Sequence, residues 1–245
     1  MTPIRIAQVS DAHIGLQLPA QNRADSKAQF LAVLDCLSHR NLDLLIFSGD
    51  LAGEQGEDEA YLWLREAISV CTTPVVLMAG NHDEPERMRR LLEIPTARAP
   101  SDGLYFEQRI QDLRLLFLDS SSYRIPELQW DWLRSRVLDT PTLLFVHHPP
   151  LLCSCRFMDE QAPLKDAEVA WSKLCELEGI DAIFCGHYHT ERSLRRDGRM
   201  VYLTPSTLFQ IDPYSPDFQI AHTRPGFRMI EYGARGLHTW VEYLD

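Results

Sequence analysis

Apolar residues along the chain fall into short runs that alternate with stretches of helical spacing. Ile4 to Val9 is the first such run in the segment from Met1, ending just before Ser10-Asp11. Residues 24–40 then place Ala28, Leu31, Leu34 and Leu37 on one helical face. Leu42 to Phe47 is apolar except for Asp43, as for a strand covered on both faces, and Gly49-Asp50 ends it. A helix is predicted over Glu57–Cys71, followed by the strand Val75–Met78, which stops at Ala79-Gly80-Asn81. The second half repeats the habit. Leu113–Leu118 and Thr142–Val146 read as strands with a helix at Glu127–Val137 between them, and the second strand runs into His147-His148-Pro149-Pro150. A helix over Glu168–Leu177 leads to the strand Ala182–Cys185, which ends at Gly186-His187. The rhythm then turns antiparallel. Asp197-Gly198 marks a hairpin between residues 191–196 and 199–204, and two late strands are predicted at 227–232 and 237–244. Residues 151–165 are aperiodic and read as a long loop, a candidate substrate lid with Phe157, Met158 and Leu164 on its apolar side.

This alternation defines an α/β chain, and 245 residues fit one domain over 1–245 with a sizeable core. Composition narrows the partners. With 24 Lys+Arg against 35 Asp+Glu the net charge is −11, which argues against a nucleic acid polymer or an anionic membrane surface. A small anion with local positive partners stays compatible. The six cysteines follow no framework spacing, no export signal precedes them, and no apolar run reaches the roughly 20 residues that span a bilayer. A cytoplasmic protein with reduced thiols is the expectation.

Candidate chemistry sits at the strand ends. Asp11 and His13, Asp50, Asn81 with His82 and Asp83, His147 with His148, and His187 with His189 occupy five of them, and account for six of the nine histidines. A lone histidine near a strand end is more often structural, but five ends carrying His, Asp and Asn are hard to explain by packing. Imidazole, carboxylate and amide oxygen together suit Fe, Mn, Zn or Co. Ligands of open α/β sheets bind beyond the carboxyl ends of the strands, where these residues collect.

Asp11-Ala12-His13, Gly49-Asp50, Gly80-Asn81-His82-Asp83, His147-His148-Pro149 and Gly186-His187-Tyr188-His189 resemble, in order and spacing, the five blocks of the calcineurin-like metallophosphoesterases. The His-His-Pro form of the fourth block, Thr204-Pro205-Ser206-Thr207 and Pro225-Gly226-Phe227-Arg228 resemble the bacterial class III cyclic-nucleotide phosphodiesterases within that superfamily. The resemblance implies a four-layer αββα sandwich of two mixed sheets flanked by helices. It implies two metal ions, Fe or Mn first and Zn or Co next. One would be held by Asp11, His13 and His189, the other by Asn81, His147 and His187, with Asp50 between them. His82 would face the scissile phosphate and protonate or electrostatically stabilise the leaving oxygen, with Asp83 orienting it and His148 behind the ligands. The implied reaction is in-line attack on a 3′,5′-cyclic nucleotide, cyclic AMP above all, by a hydroxide bridging the metals, giving 5′-AMP. Two divalent ions less the charges of Asp11 and Asp50 leave about +2 at the site, enough to attract a monoanionic diester. A homodimer follows by analogy only. One departure bears on the nucleotide: Asp25-Ser26 stands where related cyclic-nucleotide enzymes carry Asn-Thr. Other diesters, such as glycerophosphodiesters or 2′,3′-cyclic nucleotides, and monoesters stay open as substrates. A silent scaffold of the same fold would be expected to have lost ligands, and all seven positions are intact.

Overall fold

Side-chain alternation along the central strands decides how the layers stack. The computed structural model describes residues 2–95, 103–136 and 140–245, so Met1 and Val137, which end two predicted elements, lie outside the described residues. The first half runs β1 (Ile4–Val9), α1 (Ser26–Ser38), β2 (Leu44–Ser48), α2 (Asp58–Ile68), β3 (Val75–Met78), α3 (Pro85–Leu91), β4 (Phe106–Ile110) and β5 (Leu113–Leu118). It continues with α4 (Glu127–Arg134), β6 (Thr142–Val146), α5 (Arg156–Gln161), α6 (Ala167–Cys175) and β7 (Ile180–Cys185). The remainder is all strand: β8 (Arg192–Arg196), β9 (Arg199–Leu203), β10 (Gln210–Ile211), β11 (Ile220–His222), β12 (Gly226–Gly233) and β13 (Gly236–Tyr243).

Two mixed sheets result, in the orders β13-β12-β1-β2-β3 and β4-β5-β6-β7-β9-β8. In the first, β1, β2 and β3 are parallel while β12 and β13 add antiparallel strands at one edge. In the second, β5, β6, β7 and β9 are parallel, with β4 and β8 antiparallel at the edges. Phe47 of β2 turns outward to meet Phe30 of α1 at 5.3 Å between ring centroids. On the other face, Gln8 donates to Ser48 Oγ at 2.9 Å and to the Cys185 carbonyl of the second sheet at 3.4 Å. Phe106, Phe117, Phe145, Phe184 and Tyr202 stack across five strands of the second sheet, with centroids 4.6, 5.1, 5.2 and 5.2 Å apart. Phe117, Phe145 and Phe184 share one core cluster with Ile6 and Ile46, whereas the alternate residues Leu116, Leu144 and Ile183 pack with Trp130, Trp171 and Leu174 of α4 and α6. The period-2 pattern thus feeds two cores, and the expected αββα arrangement is what the structure shows.

Several predicted bounds shift for local reasons. Helix α1 starts at Ser26, just inside the predicted 24–40, because Asp25 caps it, Oδ1 accepting from the Lys27 and Ala28 amides at 2.9 and 3.1 Å. Leu42 and Asp43 precede β2, and Asp43 instead accepts from the Arg5 amide at 2.8 Å. Helix α3 and strand β4 escaped the reading altogether: α3 buries only Met88, and the polar edge strand β4 only Phe106. The stretch 151–165, anticipated as a loop, contains α5 and buries Leu151, Cys153, Cys155, Met158 and Leu164. Its aperiodic sequence is ordered by one acid, Asp159, whose carboxylate accepts from the Cys153 and Cys155 amides and the Tyr188 hydroxyl, each at 2.9 Å. All six cysteines are free. No helix of the described residues is long and apolar enough to cross a membrane.

Removing the middle of the aromatic stack should show what it contributes. Phe145→Ala should lower unfolding stability by roughly 3–5 kcal/mol in reversible urea titration, through lost burial and the cavity left between the sheets. A loss below about 1 kcal/mol would mean that the neighbouring rings close the gap.

Candidate metal centre

The loops that leave β1, β2 and β7 share a backbone signature. Asp11, His13, Asp50, His187 and His189 have φ of 55°, 44°, 51°, 66° and 45°, the left-handed region that costs a residue with a side chain about 1 kcal/mol. Hydrogen bonds between the loops hold them there. Asp11 N–H donates to the Gly49 carbonyl (3.0 Å) and His13 N–H to the Asp50 carbonyl (2.9 Å). His187 N–H donates to Asp11 Oδ2 (3.0 Å), and Ser206 Oγ donates to the Asp11 carbonyl (2.7 Å). The loops also approach too closely for side chains at two places. A Cβ on Gly80 would lie 2.2 Å from Asp50 Oδ1 and 2.7 Å from His147 Nε2, and one on Gly186 would lie 2.0 Å from Ser10 Oγ.

Bent this way, the strand ends aim their side chains at one place. Donor atoms of Asp11, His13, Asp50 and His189 all lie within 4.8 Å of one another, as do those of Asp50, His147 and His187. Asp50 belongs to both groups, at 3.3 Å from His147 Nε2 and 3.8 Å from His13 Nε2. The carboxylate of Asp11 lies 3.4 Å from His189 Nε2, and His13 and His189 bring their Nε2 atoms to 3.0 Å. Each imidazole is fixed from behind. Nδ1 of His13, His147 and His189 faces the carbonyl of Gly53 (3.4 Å), Ser48 (2.8 Å) and Phe209 (3.0 Å) respectively. For His187 the rear atom is Nε2, against the Ala162 carbonyl at 2.8 Å. A carbonyl only accepts, so the rear nitrogen carries a proton, and in the neutral ring the front nitrogen presents a lone pair.

Three buried atoms in the pocket lack any hydrogen-bond partner: Asn81 Oδ1, His147 Nε2 and His187 Nδ1. Buried polar atoms left in this way are rare, and an ion coordinated by them accounts for all three. The residues present therefore fit a metal. The site's own charges are arranged for one as well. Burial holds His13 at about 3 and His187 at about 4, so both imidazoles are neutral donors at neutral pH. Burial would raise Asp11, but the charge and hydrogen bond of His189 prevail and bring its carboxyl to about 2. Burial would lower His147, but Asp50 prevails and raises it to about 9, so a cation entering beside this pair displaces a proton.

His82 and His148 stand beside these donors, and Asp83 lies behind the loops that carry them. His82 donates its amide to Asp50 Oδ1 (2.8 Å), turns Nδ1 to the Glu54 carbonyl (3.0 Å) and stands edge-on to His13, ring centroids 4.8 Å apart. Asp83 does not turn toward His82. It accepts from the Leu51, Ala52 and Gly80 amides at 3.1, 3.0 and 2.9 Å and from Tyr61 Oη at 3.1 Å, tying the Asp50 loop to the Asn81 loop. Burial first, then the nearby Asp50 charge, raises it to about 6. His148 lies behind His187, ring centroids 4.1 Å apart, with Nδ1 on Ser120 Oγ at 2.9 Å. Ser26 holds the loop after His13 by accepting from Gly15 N–H at 3.0 Å. The carbonyl acceptors and Ser206 were not found from sequence: a backbone carbonyl has no residue signature, and only the fold brings Ser206 under Asp11.

Known proteins resemble this chain in sequence and in fold. The model of the calcineurin-like phosphoesterase family matches residues 4–191. A probable cyclic nucleotide phosphodiesterase from Fibrobacter succinogenes is 34% identical, over 99% of this chain and 94% of its own. A 3′,5′-cyclic adenosine monophosphate phosphodiesterase from Escherichia coli K12 is 31% identical, over 96% of this chain and 88% of its own. Among solved structures, a dimetal phosphatase from Danio rerio superposes with a TM-score of 0.69 at 14% identity, covering 99% of each chain, a likeness of fold. The family and these relatives bear out the expectation of a phosphodiester hydrolase. The matched span contains the buried Asp and His cluster, and the chain belongs to the calcineurin-like phosphoesterase family.

Proposed function

We propose that the protein is a binuclear metal-dependent phosphodiesterase that converts 3′,5′-cyclic nucleotides, cyclic AMP first, into 5′-monophosphates. The observation that carries this reading is the pair of donor groups sharing Asp50, together with the orphaned Asn81, His147 and His187 atoms. Asp11, His13 and His189 would hold one ion, Asn81, His147 and His187 the other, and Asp50 both. Fe and Mn suit this donor set, as do Zn and Co. Bound there, two such ions would polarise the phosphate oxygens and bring the pKa of a water toward neutrality.

The chain's own residues do the rest. With Nδ1 turned to the Glu54 carbonyl, the imidazolium form of His82 would present its Nε2–H to the substrate and pass that proton to the ribose 3′-oxygen as the P–O bond breaks, leaving a neutral ring. The Asp83 carboxylate keeps the Asp50 and Asn81 loops in register, so that ligand and acid stand at a fixed separation. The names of the two relatives support a cyclic nucleotide as the substrate class.

Metal-loaded protein should release 5′-AMP from cyclic AMP and cut bis(p-nitrophenyl) phosphate faster than its monoester. Trace turnover of cyclic AMP beside rapid cleavage of another diester would overturn the substrate. Asp50→Ala and Asn81→Ala should abolish turnover and lower the metal found by elemental analysis. His82→Ala should instead cut kcat about 100-fold with metal content unchanged, as for a group acting in the transition state. Full turnover in Asp50→Ala and Asn81→Ala would remove the metal mechanism. Binding to the folded protein alone should raise the melting temperature on metal addition, and EDTA should reverse the rise.

A further inference from the structure

One aromatic side chain beside the centre belongs to none of the motifs. Tyr123 closes the turn after β5, its amide donating to the Ser120 carbonyl at 2.8 Å. Its φ is 61°, in the left-handed region that a bulky residue seldom takes. Asn or Gly makes such a turn with less strain, so the turn does not account for a tyrosine. The Tyr123 ring lies 4.6 Å from the His148 ring and 5.9 Å, edge-on, from that of His187. Lys165 holds it from a second segment, donating its amide to the Tyr123 carbonyl at 2.8 Å and standing its ammonium 5.6 Å from the ring centre.

With His148, His187 and Lys165 around the ring, the group left to meet a ligand is the hydroxyl, which bonds to none of the described residues. It also stands apart from His82. That residue flanks the His13 side of the centre, whereas Tyr123 flanks the His148 and His187 side.

We propose that Tyr123 is a catalytic residue whose hydroxyl donates a hydrogen bond to a non-bridging oxygen of the substrate phosphate. This rests on the phosphodiesterase reading above. The hydroxyl forms and breaks no covalent bond; it meets negative charge that grows on the phosphate during attack, so its effect falls on turnover and phosphate affinity and leaves the metals in place.

Tyr123→Phe keeps the ring, the turn and the neighbours and removes only the donor. In manganese-loaded protein, kcat on cyclic AMP and on bis(p-nitrophenyl) phosphate should fall about 10- to 100-fold, with metal content unchanged and orthophosphate bound more weakly. Turnover and orthophosphate affinity within about twofold of the parent protein would overturn the proposal. So would parallel loss of metal and activity, which would make Tyr123 a support for the centre's assembly. A parent protein idle on both diesters would end the phosphodiesterase reading, while the orthophosphate comparison would still decide whether the hydroxyl meets phosphate.

Discussion

Each imidazole of the centre gives one N–H to a backbone carbonyl, and that single bond decides which nitrogen faces the pocket. The carbonyls of Ser48 and Gly53, of Ala162 and of Phe209 come from three separated stretches of chain, so the front nitrogens of His147, His13, His187 and His189 converge only when all three stretches are in place. The fold is thus a condition of the chemistry. If the Ala162 carbonyl moves, His187 loses its tautomer; if the turn carrying Phe209 moves, His189 does.

The same convergence explains the strained backbone and the close glycines. Two carboxylates and four imidazoles occupy a space where each would be unstable alone, and burial works against their charged forms. They coexist because Asp11 and His189, and Asp50 and His147, offset one another, and because Asp83 and Ser206 fasten the loops from outside. Gly80 and Gly186 let these loops approach to distances that any Cβ would forbid. Rigidity here is preparation: ligands held before a cation arrives need not be ordered when it does.

Much of this could be read before folding was considered. The strands that supply the site are buried and apolar, so β1, β2, β3, β5, β6 and β7 stand out by composition, and the polar residues at their ends stand out against them. Elements that touch the core on one side only did not. The face of α3 reduces to Met88, β4 is a polar edge, and α5 owes its order to Asp159, a contact with residues outside the helix and with Tyr188. The role of Asp83 was missed for a similar reason. Adjacency to His82 in sequence suggested a partner, but the Asp83 side chain turns toward the Asp50 loop, 32 residues away for Leu51.

By itself the sequence determined which side chains take part: Asp, His and Asn at successive strand ends are set by order and identity, and a short apolar strand ends where its polar residue begins. Local patterns carry that information because period-2 burial is a local property. Tertiary structure decided how those side chains act. The tautomers, the pairing of Asp11 with His189 and Asp50 with His147, and the place of Tyr123 beside His148 all depend on atoms brought together from distant stretches, many of them backbone carbonyls. Every residue carries such a carbonyl, so no sequence can mark the ones that matter.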